Sequence, residues 1–330
     1  MAASQPRVAL LGATGAVGAE ILQVLEERRF PLRELRAYAS AESEGQELEW
    51  NGEAVKLRRL RADDIAACDL VICAARGALP ELLPALRRSS AVVIDVSGVL
   101  ESDPGASLFL PGVTPALEAG ARFVAIPRGV AAGLGLALSA FSRAGVLRRA
   151  TAVTLESASG AGIAGVGELT DHTVQVLNRM SGERAESEVF AQSLAFDCLP
   201  QIGALEASGD TADELALARV LHRLLPESGL ALELTRVRIP TLGGSLATVH
   251  AELAKSLELS EVHALLAAQR NVTVLPADEL PTPRAALGHD DVAVGRLRAS
   301  GARVAFVLAL NDLRLGAALG VVGAAEALQR

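Results

Sequence analysis

The residues with the clearest chemical potential form a glycine-rich stretch, GATGAVG, at positions 12–18. Glycines in such a turn let the backbone bend tightly and approach a phosphate, and a following helix presents unpaired N–H groups to an anion. An apolar run precedes the stretch and a helix-period segment follows it, which is the strand–turn–helix context that dinucleotide binding requires. A glycine turn without a ligand is the alternative. The predicted cofactor contacts come from Gly12, Ala13, Thr14, Gly15, Ala16, Val17 and Gly18.

A second group of polar residues follows the next predicted strand, where the ribose of a dinucleotide is usually recognised. Ser40 and Glu42 lie there. A carboxylate at this position repels a 2′-phosphate and accepts a hydrogen bond from a ribose hydroxyl, so NAD is favoured over NADP if a dinucleotide binds. Two alternatives stay open: Glu42 is simply solvated, or the protein holds no cofactor.

The three cysteines do not indicate a metal site or a disulfide framework. Cys68, Cys73 and Cys198 lack metal-ligand spacing, and a sparse, odd count is typical of a reducing compartment. Cys68 and Cys73 flank an apolar run, so both are predicted to be buried strand residues. No metal is expected.

The elements that position the glycine turn alternate between strand and helix. Continuous apolar strands joined by helices indicate a parallel sheet covered on both faces, so the fold class is α/β with a Rossmann-type doubly wound parallel sheet. The glycine turn lies between a strand at residues 7–11 and a helix at 15–29, and residues 79–88 are predicted to be helical. Further strands are predicted at residues 36–39, 69–75, 91–96 and 122–126.

Beyond about residue 148 the predicted strands are longer and several alternate in polarity, which indicates a second α+β domain with a mostly antiparallel sheet. We expect residues 1–130 to form the dinucleotide-binding domain and 131–314 the second domain. A C-terminal helix at 315–330 is expected to pack back on the first domain. The strands of the second domain are predicted at residues 230–239, 245–253, 291–299 and 302–310.

The bulk properties limit the partners. A chain of 330 residues favours two domains, because single cores stop growing at roughly 250–300 residues. The net charge of −8 argues against nucleic acid and anionic membranes. The apolar segment at residues 130–141 is too short to span a bilayer, and no secretory signal is apparent, so a cytoplasmic location is expected.

Five sequence blocks occur in order along the chain: VALLGATGAVG at 8–18, VIDVSG at 93–98, SASGAG at 157–162, VGRLR at 294–298 and NDLRLGAA at 311–318. With these blocks the chain resembles the aspartate-semialdehyde dehydrogenases over nearly its whole length. The resemblance implies a Rossmann domain and a second domain that carries catalysis and forms a homodimer. It also implies chemistry through a thioester on a cysteine, with a base and with cations for phosphate and carboxylate.

The resemblance also shows where this chain departs from the family. Gly129 occupies the position of the cysteine and has no side chain, so no thioester can form there. Ser245 occupies the position of the histidine, and a serine hydroxyl is not a base near neutral pH. His250 is a weak candidate for a substitute.

The phosphate-binding positions are changed as well. Glu101 aligns with an arginine and Glu156 with a glutamine, and both add negative charge. The family's E-x-x-K pair falls at Val220 and Arg223, which keeps only the cation.

Two family arginines are retained. Arg238 aligns with the arginine that holds the substrate carboxylate, and Arg314 lies in the block near the nicotinamide end of the cofactor. As an alternative, Arg238 is a strand residue paired with a nearby carboxylate.

Three hypotheses follow. The first is a catalytically silent homodimer, similar to the family's non-catalytic, Usg-like paralogues, that retains a dinucleotide site. The second is an NAD-dependent oxidoreductase without a covalent intermediate, with His250, Glu156 or Arg238 moving the proton. The third is a non-enzymatic dimeric module that binds a protein or a small molecule.

Overall fold

A computed structural model of the protein describes residues 5–65, 67–75, 77–118, 120–178, 186–225 and 229–329. The chain divides into two compact units. The first unit comprises the described residues up to 128 together with those from 317 onward, and the second comprises 129–316. Among the described residues, no helix combines the length and the apolar character needed to cross a membrane.

The first unit is built on a seven-stranded parallel sheet with the order β5-β2-β1-β6-β7-β9-β8. Six of these strands follow the 3-2-1-4-5-6 order of a doubly wound dinucleotide-binding fold, so the predicted fold class is confirmed. The elements are β1 (Arg7–Leu11), α1 (Ala16–Glu27), β2 (Glu34–Ala39), β3 (Glu47–Trp50), β4 (Glu53–Lys56), β5 (Arg58–Arg59), α2 (Ala62–Ile65), β6 (Leu70–Cys73), α3 (Leu79–Arg88), β7 (Val92–Asp95), β8 (Ser107–Leu108), β9 (Phe123–Ala125) and, at the chain end, α9 (Leu319–Ala327).

The order of the strands reverses beside β1. This strand is almost entirely buried, and it pairs with β2 on one side and β6 on the other. Ligands of open α/β sheets bind at such a reversal, beyond the carboxyl ends of the strands. The helix α9 packs on α1 and β7 within the same unit.

The second unit contains a six-stranded mixed sheet with the order β11-β10-β12-β15-β14-β13. Its three central pairings are antiparallel, and the two outer pairings are parallel. The elements are α4 (Val130–Arg143), β10 (Leu147–Glu156), α5 (Gly162–Leu177), α6 (Ala212–Leu224), β11 (Ala231–Arg238), β12 (Ser245–Leu253), α7 (Leu259–Ala267), β13 (Val272–Val274), α8 (Pro283–Ala286), β14 (Val292–Ser300) and β15 (Arg303–Leu310).

The core of the second unit lies between this sheet and α4. Every residue of α4 from Val130 to Phe141 is buried, and Phe141 stacks on Phe306 of β15 with ring centroids 6.2 Å apart. Side chains of β12 alternate between buried and partly exposed along the strand. We call the face that packs on α4 the inner face of the sheet and the opposite one the outer face.

Candidate functional site

In the first unit, the turn after β1 has the geometry of a phosphate loop. Gly12 has a φ of +84°, which favours glycine, and its N–H donates to the carbonyl of Tyr38 over 2.9 Å. Gly18 requires glycine for a different reason. A Cβ atom at that position would lie 2.1 Å from the carbonyl oxygen of Gly12, so α1 packs directly on the turn.

The start of α1 is open to an anion. Gly15 is the N-cap and supplies no side-chain hydrogen bond, which leaves the first backbone N–H groups of the helix without a side-chain cap. The partial positive charge of a helix N-terminus favours a phosphate there. The turn therefore fits the pyrophosphate of a dinucleotide in shape and in charge.

Ser40 and Glu42 follow β2, as the sequence predicts for a ribose site. Ser40 precedes a short 3₁₀ turn at Ala41–Ser43, and both side chains are exposed. The Glu42 carboxylate has no hydrogen bond within the described part of the chain, while its backbone carbonyl accepts one from Gln46. This carboxylate is free to meet a ligand.

In the second unit, Gly129 is the N-cap of α4 and has φ +50° and ψ −125°. Residues that carry a side chain rarely adopt such a backbone conformation. Nucleophiles on sharp strand-to-helix turns are nevertheless held in strained backbones of this kind. There is space for a side chain, because a Cβ atom at Gly129 would meet only the Cβ of Asp312, at 3.9 Å. The turn thus has room for a side chain, and Gly129 supplies none.

Asp312 lies beside this turn and is held by three serines and one backbone amide. Its Oδ2 atom accepts hydrogen bonds from Ser159 over 3.1 Å, Ser245 over 3.3 Å and Ser157 over 3.4 Å. Its Oδ1 atom accepts one from the N–H of Gly244 over 3.2 Å. We call these five residues the Asp312 cluster. The cluster unites Ser245 with the SASGAG block and places a negative charge at its centre.

Glu156, at the end of β10, forms a buried ion pair. Both of its oxygens accept from the guanidinium of Arg236 over 2.7 Å, and Thr154 donates to one of them over 2.8 Å. Burial alone would raise the pKa of this carboxyl, but the charge and hydrogen bonds of Arg236 hold the pKa below its ordinary value. The charge of Glu156 is therefore neutralised within the fold.

Among the described residues no ion pair joins Arg238 to a carboxylate. The arginine that pairs with Glu156 is Arg236, two residues earlier on the same strand. Arg238 is buried and donates to the carbonyl of Ser157 over 2.6 Å. Burial lowers the pKa of Arg238, while the charges of Glu156 and Asp312 act in the opposite direction. Arg238 thus lies next to the Asp312 cluster and keeps donors that no carboxylate uses.

In the first unit, Glu101 is also paired. Its Oε1 atom accepts from the Nε of Arg128 over 3.0 Å, and Glu101 is buried. The guanidinium of Arg128 lies where a side chain on Gly98 would be, since a Cβ atom there would approach it to 2.4 Å. The expectation that Glu101 reverses the local charge is incomplete, because Arg128 restores a cation beside it.

Other candidates lie elsewhere or have structural partners. His250 is on the outer face of the sheet, opposite the face that carries Ser245, so it does not substitute for a base there. Arg314 forms an ion pair with Asp290. Val220 and Arg223 lie on α6, with Val220 buried in the core.

Cys68 and Cys73 are both buried, as predicted, but only Cys73 is a strand residue, because β6 begins at Leu70 and Cys68 precedes it. Burial, reinforced by the nearby Asp95, raises the pKa of the Cys73 thiol to about 12, so it is inert. Cys198 is exposed. No group of three or more His, Cys, Asp or Glu side chains within the described residues has the geometry to hold a metal ion.

Sequence reasoning missed Asp312, Arg236 and Arg128 as members of these arrangements. A signal for Asp312 was present in the exchanged order Asn311–Asp312 of the NDLRLGAA block. The sequence carried no comparable signal for Arg236 or Arg128, because the two residues of each ion pair are far apart in the chain. Glu156 and Arg236 are separated by 80 residues, and Glu101 and Arg128 by 27.

The fold defines a class: a two-unit protein with a dinucleotide-binding type of parallel sheet in the first unit and a mixed sheet packed on a buried helix in the second. Residues 7–120 match the model of the semialdehyde dehydrogenase NAD binding domain, and residues 138–315 match that of the semialdehyde dehydrogenase dimerisation domain. The chain belongs to the aspartate-semialdehyde dehydrogenase family.

Individual relatives match over the full length. Aspartate-semialdehyde dehydrogenase 2 of Vibrio cholerae is 32% identical over 336 residues, covering 99% of this chain and 98% of the relative. A crystal structure of aspartate semialdehyde dehydrogenase II from Vibrio cholerae superposes with a TM-score of 0.92 at 31% identity, with 98% of each chain covered. A probable aspartate-semialdehyde dehydrogenase from Pseudomonas aeruginosa gives 0.91 at 29% identity, again over 98% of each chain.

Proposed function

We propose that this protein is a member of the family that does not form the thioester and is inactive in acyl-phosphate reduction, in the manner of the non-catalytic paralogues. The observation that carries the proposal is the N-cap of α4. Gly129 provides no nucleophile there, and the nearest side chain is the carboxylate-bearing Asp312. A negative charge at this position disfavours both a thiolate and an incoming phosphate.

The hydroxyls of the Asp312 cluster do not replace the missing groups. Ser157, Ser159 and Ser245 donate to the carboxylate, but a carboxylate is a weak base for a serine hydroxyl, and no histidine takes part in the hydrogen bonds of the cluster among the described residues. Acyl transfer to serine is therefore not the activity we propose.

The test is an assay of phosphate-dependent oxidation of aspartate semialdehyde with NAD and with NADP, followed at the absorbance of the reduced nicotinamide. We expect no turnover above that of a buffer blank. Turnover that requires both phosphate and the protein, and that persists after a second purification step, would overturn the proposal.

A cysteine introduced at position 129 tests the claim that the negative charge of Asp312 disfavours a thiolate there. In a Cys198→Ser background, Gly129→Cys should react slowly with a disulfide reagent, because the Asp312 carboxylate lies beside it. Adding Asp312→Asn removes the charge and should raise the rate roughly tenfold, as expected for a shift of about one pKa unit. The Gly129→Ala variant controls for backbone strain. Equal rates with and without Asp312→Asn would contradict the argument.

For the first unit, we propose that the turn at residues 12–18 binds a dinucleotide and that Glu42 favours NAD over NADP. The open N-terminus of α1 and the exposed carboxylate after β2 support this. Calorimetric titration should give tighter binding of NAD than of NADP, and Glu42→Gln should reduce the difference between the two affinities. Equal affinities for both cofactors would contradict the preference, and binding of neither would leave the turn a structural device.

We also propose that the protein is a homodimer that associates through its second unit. The match of residues 138–315 to a dimerisation domain supports this, as do half-buried apolar side chains on the outer face of the sheet.

Non-covalent hydride transfer remains the alternative function, but Glu156 lies in an ion pair and His250 on the outer face, which weakens both as proton carriers.

A further inference from the structure

A pocket of about 260 Å³ opens on the outer face of the second unit's sheet, at the end near the β14–β15 turn. Strand alternation and register bring its side chains together. Thr151, His250 and Ala305 are neighbours across β10, β12 and β15, and Arg298 of β14 is opposite Ala305. The next row contains Arg149, Glu252 and Arg303. The lining is thus formed by four adjacent strands.

The pocket is rich in cations. Arg149, Arg298 and Arg303 line it together with one carboxylate, that of Glu252, whereas the whole chain carries a net charge of −8. Arg149 forms an ion pair with Glu233. Arg298 donates to the backbone carbonyl of Arg296, and among the described residues neither Arg298 nor Arg303 has an ion pair with an acidic side chain. Two guanidiniums therefore remain for an external anion.

The geometry suits a single small ligand. Arg303 is a diagonal neighbour of Arg298 across the β14–β15 pair, a separation of about 7–8 Å that long side chains bridge. His250 is a diagonal neighbour of Arg303 across the β12–β15 pair and adds an imidazole at the same wall. The pocket volume is slightly below the range of roughly 300–1,000 Å³ for sites that hold drug-sized molecules.

We propose that this pocket binds a small multivalent oxyanion, such as a phosphate group or a short dicarboxylate, through Arg298 and Arg303. Guanidinium groups bind such anions with paired, charge-assisted hydrogen bonds. The site is separate from the Asp312 cluster, which includes Ser245 of the inner face, and does not depend on the loss of activity proposed above. It lies on the face proposed for the homodimer, so anion binding requires that Arg298 and Arg303 stay accessible at the end of that face in the dimer.

Calorimetric titration with inorganic phosphate and with succinate, in a buffer free of other oxyanions, tests the proposal. We expect saturable binding of at least one of the two, weakened at least tenfold by the double change Arg298→Gln and Arg303→Gln. The matched control is Arg219→Gln, which removes one exposed arginine from α6 and should leave the affinity within twofold. Affinity should also fall as sodium chloride is raised.

The separate titrations with phosphate and with succinate distinguish a preference for phosphate groups from a preference for dicarboxylates. Binding of neither, or equal affinity in the double variant and the wild type, would overturn the proposal. Light-scattering masses of the same variants provide a second readout. A change of oligomeric state in the double variant without any change in anion affinity would assign the arginines to contacts between two copies, which would also overturn it.

Discussion

Glu101 and Glu156 each have an arginine beside them. Glu101 is bonded by Arg128 and Glu156 by Arg236, and all four side chains are buried or half-buried. Isolated buried charges are costly, so a glutamate at either position is stable only with such a partner. Both carboxylates are therefore integrated into the fold by an ion pair.

The Glu156–Arg236 pair gives a prediction at this scale. Arg236→Met leaves Glu156 buried without its cation and should cost about 3–5 kcal/mol of unfolding free energy at pH 7. The double variant Arg236→Met with Glu156→Met removes both charges and should lie close to the wild type. Urea denaturation at pH 7 measures all three proteins, and a loss below about 1 kcal/mol in the single variant would contradict the importance of the pair.

The same pair predicts a pH dependence. The folded-state pKa of Glu156 is below its ordinary value of 4.5, so its contribution to stability is present above that value and is lost as the pH falls through the folded pKa. Glu156→Gln should therefore be less stable than the wild type at pH 7, with the difference shrinking below about pH 4.5. A difference that stays constant down to pH 3 would show that Glu156 is not the titrating group.

At the scale of elements, two glycines between β1 and α1 that look equivalent in sequence, Gly15 and Gly18, differ in how closely other atoms approach them. A Cβ atom at Gly18 would lie 2.1 Å from one backbone atom and 2.9 Å from another, whereas at Gly15 the only near atom is a carbonyl oxygen at 3.4 Å. Backbone atoms cannot rotate away as a side chain does. The helix would have to move off the turn to accommodate alanine at position 18.

We therefore expect Gly18→Ala to lose about 1–3 kcal/mol or more of unfolding free energy, which is the typical cost of overpacking. Gly15→Ala should stay within about 1 kcal/mol of the wild type, because Gly15 has a φ of −76° that alanine adopts freely. Thermal unfolding of the two variants measures the contrast. Similar melting temperatures would mean that α1 does not pack on the turn as described.

Elements of the first unit were largely readable from the sequence because they depend on local patterns. The strand at residues 7–11 and the helix at 79–88 are confirmed to the residue. The helix predicted at 15–29 is Ala16–Glu27, one residue shorter at its N-terminal end and two at its C-terminal end. The hairpin formed by β3 and β4 was missed, although its turn is Asn51–Gly52, with φ values of +56° and +77°. That dipeptide between strands is a strong hairpin signal.

The candidate sites were less readable because they depend on distant partners. Aligning a family pattern identified Gly129 and Ser245 as positions of interest, but not Asp312, which is bonded to Ser157 across 155 residues of sequence. The identity of the arginine that pairs with Glu156 also required the structure, since Arg236 and Arg238 lie on the same strand. Local periodicity carries no information on which of two nearby arginines reaches a given carboxylate.

At the scale of the whole molecule, the outer face of the second unit's sheet carries a row of side chains that are not fully buried in the single chain. Val153, Thr248 and Val307 form this row across β10, β12 and β15, and each is only partly buried. Helix α4 covers the opposite face. Partly exposed apolar side chains on a sheet face are typical of a surface that a partner completes, and in the homodimer proposed above the same patch would serve both subunits.

Val307→Lys tests this assignment because Val307 is the β15 member of the row, opposite Thr248 of β12. It is partly exposed in the single chain, so the lysine can reach solvent in a monomer but would be desolvated at an interface formed by this face. Light scattering should give twice the chain mass of 34.1 kDa for the wild type and a single chain mass for the variant. Leu259→Lys, at the exposed start of α7, is the control and should remain dimeric. A wild type that is monomeric at micromolar concentration would contradict the homodimer. A Val307→Lys variant that stays dimeric would show that the interface is formed by another face of the second unit.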